Sequence, residues 1–183
     1  MNTRKFPINY FVLTGLFLCV FLAEPSFSDG LKEYQIKSVL SANFSKFARW
    51  SDNKVDYQQG NFVFCVLGDF SVTKAFDKIE GKKIGGRPIS VLKFNSISSK
   101  LQQCQAMFVA RLDRKKLPRL FEVVKSHSVL MIGEMNGFLE YGGMINFVKR
   151  KGRIKFEINL VSVEEKGIKL SSRLLKLAVI IKK

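Results

Sequence analysis

The residues best placed to do chemistry form a sparse set. Three apolar runs each end on a charged side chain: "FVFCVLGD" on Asp69, "AMFVAR" on Arg111 and "VLMIGE" on Glu134. If these runs are strands of a parallel sheet, the three charges stand at its carboxyl edge, where open α/β sheets hold small ligands. Opposite charges in such a crevice suit an amphoteric molecule. The plainer alternative is that Asp69 caps the following helix and Arg111 pairs with it. Farther along, Arg173 of "SSRLLKLA" stands among small and apolar residues, where a guanidinium normally takes a carboxylate or a carbonyl. Glu157 of "RIKFEINL" is its natural mate, and the two together mark a second candidate for partner or ligand binding.

Catalytic machinery is thin. The one histidine, His127, has no carboxylate cluster near it and too few cysteines to complete a metal site. Neither a G-x-S-x-G elbow nor a Walker A loop occurs. The glycines of "GGRP" and "YGG" precede strands and do not open helices, so they are turn glycines, not phosphate loops. With no nucleophile–base pair in view, the chain reads as a non-enzyme that needs no cofactor and no metal.

The N-terminus carries the pattern expected of an exported protein. Arg4 and Lys5 precede an apolar run from Phe11 to Ala23, followed by small residues at Ser26 and Ser28. That is the pattern of a secretory signal peptide over residues 1–28. The run is short for a membrane span, which needs about 20 residues, although an uncleaved anchor is the alternative. Leu18 stands before Cys19 where a lipoprotein signal wants a small residue, which argues against lipidation there. Residues 29–183 then form one domain, long enough for a proper core. Without Arg4, Lys5 and Glu24, 29 basic and 14 acidic residues remain, a net charge of +15. Such a chain attracts anionic partners, and export argues against nucleic acid among them. Outside the leader only Cys65 and Cys104 remain, which in an oxidising compartment suggests one disulfide; two buried free thiols are the alternative.

The elements that must position these residues follow from periodicity. "LKEYQIKSVLSANFSKFARW" reads as an amphipathic helix with Leu31, Tyr34, Val39, Phe44, Phe47 and Trp50 on its apolar side. A loop follows at 51–60. The near-continuous apolar runs around Phe64, Phe108 and Met131 read as strands buried on both faces. "SVTKAFDKIEG" and "DRKKLPRLFEVVKS" read as helices between them, the second capped by Asp113, with a further strand from about Pro88 to Lys93. "GGMINFVKR" and "RIKFEINL" alternate around a tight "KG" turn as an antiparallel hairpin. "SVEEKG" is a helical turn, and "KLSSRLLKLAVIIKK" reads as a terminal helix with a second apolar face left for self-association or a partner. The fold class is therefore α/β: a single compact domain, a mostly parallel sheet flanked by helices, a C-terminal antiparallel hairpin and a terminal helix.

Taken in order, the "FCVLG" strand, "GKKIGGRPI", "CQAMFVA", "GGMINFVKRKGRIKFEINL" and "GIKLSSRLLKLA" resemble the YfiR-like family of exported bacterial proteins. The resemblance implies a periplasmic repressor. It would bind the periplasmic sensing domain of an inner-membrane diguanylate cyclase, lower cyclic di-GMP and restrain biofilm formation. It also implies an outer-membrane lipoprotein able to sequester the repressor, and a domain able to dimerise. By position, Cys65 and Cys104 match the family's core disulfide, and Arg173 matches the arginine of its "SSRLL" motif. The alternative reading of the residues is a periplasmic small-molecule binding domain that feeds a sensor kinase or transporter.

Overall fold

The computed structural model describes residues 27–51 and 60–182. All but the last two residues of the leader, Cys19 included, and most of the 51–60 loop therefore lie outside the described residues. Helix α1 (Phe27–Lys46) runs into β1 (Ala48–Trp50). Then come β2 (Phe62–Leu67), α2 (Phe70–Ala75) with a 3-10 turn at Phe76–Ile79, β3 (Lys83–Ile84) and β4 (Arg87–Phe94). A 3-10 segment at Ser99–Gln103 leads into β5 (Ala106–Val109), and another at Arg114–Lys116 into α3 (Leu117–Val123) and β6 (Leu130–Gly133). The hairpin β7 (Ile145–Arg150) and β8 (Arg153–Asn159) is followed by α4 (Leu160–Glu165), β9 (Ile168–Leu170), α5 (Ser172–Leu175) and β10 (Ile180–Lys182).

Eight strands form one sheet in the order β10-β8-β7-β6-β5-β2-β4-β3, and β1 pairs with β9 in a separate ribbon. From β4 through β7 all neighbours are parallel; β8 runs antiparallel to β7. The chain crosses one way from β2 to β4, then the other way to β5 and β6. That reversal opens a crevice outside the carboxyl ends of β2 and β5. Crossovers of one hand in opposite directions put α2 and α3 on opposite faces of the sheet, and α1 packs with α2 and its 3-10 turn.

Aromatic rings fill the layer under α1. Phe76 lies 4.8 Å from Phe108 and 5.7 Å from Phe64, and Phe44 lies 4.7 Å from Phe156 and 5.4 Å from Phe147. Most of these rings are fully buried, and each removes up to about 200 Å² from water.

The buried side of α1 differs from the apolar stripe expected of it. Besides Tyr34, Ala42 and Phe44 it buries Ser38, Ser41 and Ser45, while Leu31 is exposed and Val39 half-buried. Small side chains let the helix lie close to its neighbours. Two of the serines return their hydroxyls to the helix's own carbonyls, Ser38 to Gln35 at 2.8 Å and Ser45 to Ser41 at 3.1 Å. The terminal helix is present but only one turn long, capped by Ser171. The residues after it turn back and add β10 parallel to β8, because an apolar β-branched run gains a full ladder of hydrogen bonds at an open sheet edge.

Cys65 and Cys104 are bonded, with Cα atoms 5.8 Å apart. Register alone would set them at different heights. The 3-10 turn at Ser99–Gln103 swings Cys104 inward, and Gln105 locks it by two bonds with Val63: its amide donates to the Val63 carbonyl at 3.0 Å, and its side-chain oxygen accepts from the Val63 amide at 2.5 Å. Closing a loop of this length contributes about 4 kcal/mol in the chain-entropy view.

Candidate functional site

The carboxyl ends of β5 and β6 face the first turns of α1, and a cluster of ionisable groups forms between them. On α1, Glu33, Tyr34 and Lys37 share one side because their spacing is one helical turn. Glu134, the first residue after β6, receives two of them. The Tyr34 hydroxyl donates to Oε1 at 2.7 Å, and Lys37 Nζ donates to Oε2 at 2.5 Å. Lys37 also donates to Glu33 at 2.6 Å, and Lys149 of β7 lies 3.6 Å from the other Glu33 oxygen. Lys37 is only 6 % exposed. The two carboxylates that face it offset the cost of burying its charge.

Arg111 also lies against Tyr34. Its guanidinium lies over the Tyr34 ring, 5.6 Å from the centroid, while Lys37 Nζ lies 5.0 Å from that centroid. Arg111 follows β5 in the left-handed region, at φ +44°, unusual for a residue with a side chain. Phe108 completes the cage, meeting Tyr34 edge-on at 6.4 Å.

The electrostatics follow from these contacts. The hydrogen bond from Lys37 holds the Glu33 carboxyl below its ordinary range, against a smaller opposing push from burial. Burial first, and the hydrogen bond to Glu134 second, push the Tyr34 phenol well above its usual value. Asp69 is held low chiefly by the Ser71 hydroxyl, which donates to it at 2.6 Å, and by the Val72 amide at 3.0 Å. Asp69 is thus the cap of α2, as its plainer reading had it, and Arg111 adds only a weaker attraction.

Two clefts flank Tyr34. One, of about 240 Å³, lies between Lys37, Arg111, Glu134 and the Phe147–Lys149 stretch of β7. The other, of about 420 Å³, is walled by Leu31, Phe70, Lys74 and Arg111. Acidic and basic side chains alternate around the first. Among the described residues no group of three or more His, Cys, Asp and Glu side chains is arranged to hold a metal ion.

The structure therefore brings Arg111 and Glu134 together around Tyr34 and leaves Asp69 at the rim as a helix cap. It does not join Arg173 to Glu157. Arg173 is exposed on α5, and Glu157 takes Arg150 across the hairpin at 3.2 Å. The register explains this. Glu157 lies opposite Asn146 in the β7–β8 ladder, so Arg150 reaches it along the same face. Sequence reasoning missed Glu33, Tyr34, Lys37 and Lys149. The Glu33–Lys37 spacing was the available signal, but an i,i+4 pair on a surface helix is too common to single out a site.

The most specific motifs carry structure. In "MINF" the buried Asn146 accepts the Met135 amide at 3.1 Å. In "EINL" Asn159 donates to the Leu139 carbonyl at 3.0 Å and caps α4 by accepting from Ser162. The two asparagines tie the loop between β6 and β7 to the hairpin.

The model of the YfiR/HmsC-like family matches residues 34–179. No curated protein matches the chain. Among solved structures, the chain is similar to a conserved domain protein from Vibrio cholerae at 11 % identity and a TM-score of 0.49, over 66 % of this chain and 54 % of that one. It is also similar to an ABC domain from Streptococcus pneumonia in complex with L-Trp, at 13 % identity and a TM-score of 0.45, over 66 % and 55 %. The chain spans about half the length of these two structures.

Proposed function

Because this chain belongs to the YfiR/HmsC-like family, we propose that it is a periplasmic regulatory protein, not an enzyme, that binds and represses the sensing domain of an inner-membrane diguanylate cyclase. The observation that carries this reading is the extent of the family match, from the first turns of α1 to the residue before β10. It takes in the disulfide, the hairpin asparagines and the "SSRLL" turn alike. Repression then works by differential binding: the protein must prefer the inactive conformation of the cyclase, since equal affinity for both would shift nothing. An outer-membrane lipoprotein that sequesters it, or pairing of two copies, would control how much is free to bind.

The test is intracellular cyclic di-GMP in a strain lacking the gene, beside its parent and a complemented strain. A rise reversed by complementation is expected. An unchanged level, under conditions where the protein is made, would overturn the repressor reading.

A second reading is favoured by the cleft of about 240 Å³ beside Lys37, Arg111 and Glu134. A periplasmic domain that senses a small amphoteric molecule would place it there. Ligand-dependent melting that Arg111→Ala abolishes would support this reading, and repression that survives the same substitution would separate it from the first.

A further inference from the structure

The carboxyl end of the sheet carries a feature that the repressor reading does not use. β7 parts from β6 after the pair Gly133–Asn146 and continues to Arg150, so the hairpin overhangs the sheet by about 13 Å at ~3.3 Å per residue. Its tip is Lys149, Arg150, Lys151, Arg153 and Lys155, all exposed. Lys149 and Arg150 face Glu33 and Glu157; Lys151 and Arg153 stand at the turn itself, and Lys155 lies two residues down β8, opposite Val148. The tip is stiff: Lys151 and Gly152 both take positive φ, 48° and 72°, the geometry of a two-residue turn between paired strands.

At the same end, after β5, stand the exposed Arg114, Lys115 and Lys116. After β2 stands Phe70, 79 % exposed at the start of α2, with Leu31 of α1 beside it at 39 % across their shared cleft. β2 and β7 are three strand spacings apart, about 14 Å, so Phe70, Leu31 and the hairpin cations all border the carboxyl end of the sheet. The acids of this end are largely engaged: Glu33 and Glu134 by Lys37, and Asp69 and Asp113 by helix amides. Glu140 also lies there, with interactions of its own.

Exposed aromatic and aliphatic side chains amid a stiff cationic rim are what an anionic bilayer surface selects: headgroup phosphates take the cations and the interfacial layer takes the apolar side chains. We propose that the carboxyl end of the sheet docks this protein on anionic phospholipid, with Lys151, Arg153 and Lys155 on the headgroups and Phe70 with Leu31 in the interface. Docking would confine the protein to the membrane surface and present the Tyr34–Glu134 cluster toward it.

The test is co-sedimentation of the purified protein with vesicles of phosphatidylglycerol and phosphatidylcholine, against phosphatidylcholine alone. Each cation is worth about fivefold in partitioning, the equivalent of ~1 kcal/mol. The triple variant Lys151→Gln, Arg153→Gln, Lys155→Gln should therefore lose about a hundredfold, and Phe70→Ser should weaken binding further. A control triple, Lys78→Gln, Lys82→Gln, Lys83→Gln, removes the same charge away from this face and should bind as wild type. All these side chains are exposed, and unchanged melting confirms that the variants fold. Equal loss in both triples, or no preference for anionic vesicles, would overturn the proposal. So would binding to a purified cyclase sensing domain with none to vesicles. No cyclic di-GMP enters this assay, so its failure is distinct from failure of the repressor reading.

Discussion

At the residue scale the least ordinary side chain is Tyr34. It is buried, bonded to Glu134 and flanked by two cations. Its phenol is raised above the usual 10, which fixes the sign of a pH effect. Below pH 10 the proton stays on in both folded and unfolded chains, and the contribution to stability is full. As pH rises past 10 the unfolded chain ionises first, and stability falls until the folded phenol also gives up its proton. Tyr34→Phe should therefore cost about 1 kcal/mol at neutral pH through the lost hydrogen bond. It should also flatten the alkaline decline, read as urea unfolding free energy against pH. An undiminished alkaline decline in the variant would remove Tyr34 as its cause. Glu33 and Asp69 act with the opposite sign. Both are held low, so their contribution is present above their unfolded values and is lost as pH falls through the folded ones.

At the element scale the double glycine before β7 does two different jobs. Gly142 has φ +107° and supplies the turn. Gly143 has ordinary backbone but no room: a Cβ there would sit 2.6 Å from the Phe138 carbonyl oxygen and against the Phe138 ring. The Gly143 amide donates to that same carbonyl at 2.9 Å, so the loop cannot move away cheaply. Gly143→Ala should cost about 3 kcal/mol as an overpacked site, measured by chemical denaturation. A loss below ~1 kcal/mol would mean that the loop relaxes freely. The glycine pair was legible in the sequence as a turn. Its second role was not, because close approach depends on Phe138, a partner that only the folded loop identifies. The short terminal helix teaches the same lesson. "AVIIKK" is apolar enough for either state, and the open edge of β8 decides for strand.

At the scale of the whole molecule, charge dominates. A net +15 on residues 29–183 means that self-repulsion outweighs the exposed ion pairs, several of which are long or solvent-facing. Salt should therefore stabilise the protein. Between ~20 mM and ~500 mM sodium chloride the Debye length shrinks several-fold, and the melting temperature should rise by about 3 °C. The buried Lys37–Glu134 contact at 2.5 Å is shielded from that screening. A melting temperature that falls with salt would show that attractive pairs, not net repulsion, set the balance.

By itself the sequence determined the α/β class, the succession of the central strands and helices along the chain, and the hairpin with its basic tip. All of these rest on local signals: burial on both faces of a strand, helical periodicity and turn chemistry. The two cysteines were legible as a candidate pair, and the structure decided that they bond. Only the tertiary structure decided that Arg111 and Glu134 meet around Tyr34, that Glu157 belongs to Arg150 and not to Arg173, and that serines line the buried side of α1. Those outcomes are set by register and by the closeness of packing between elements distant in the chain, and neither is written in any single window of residues.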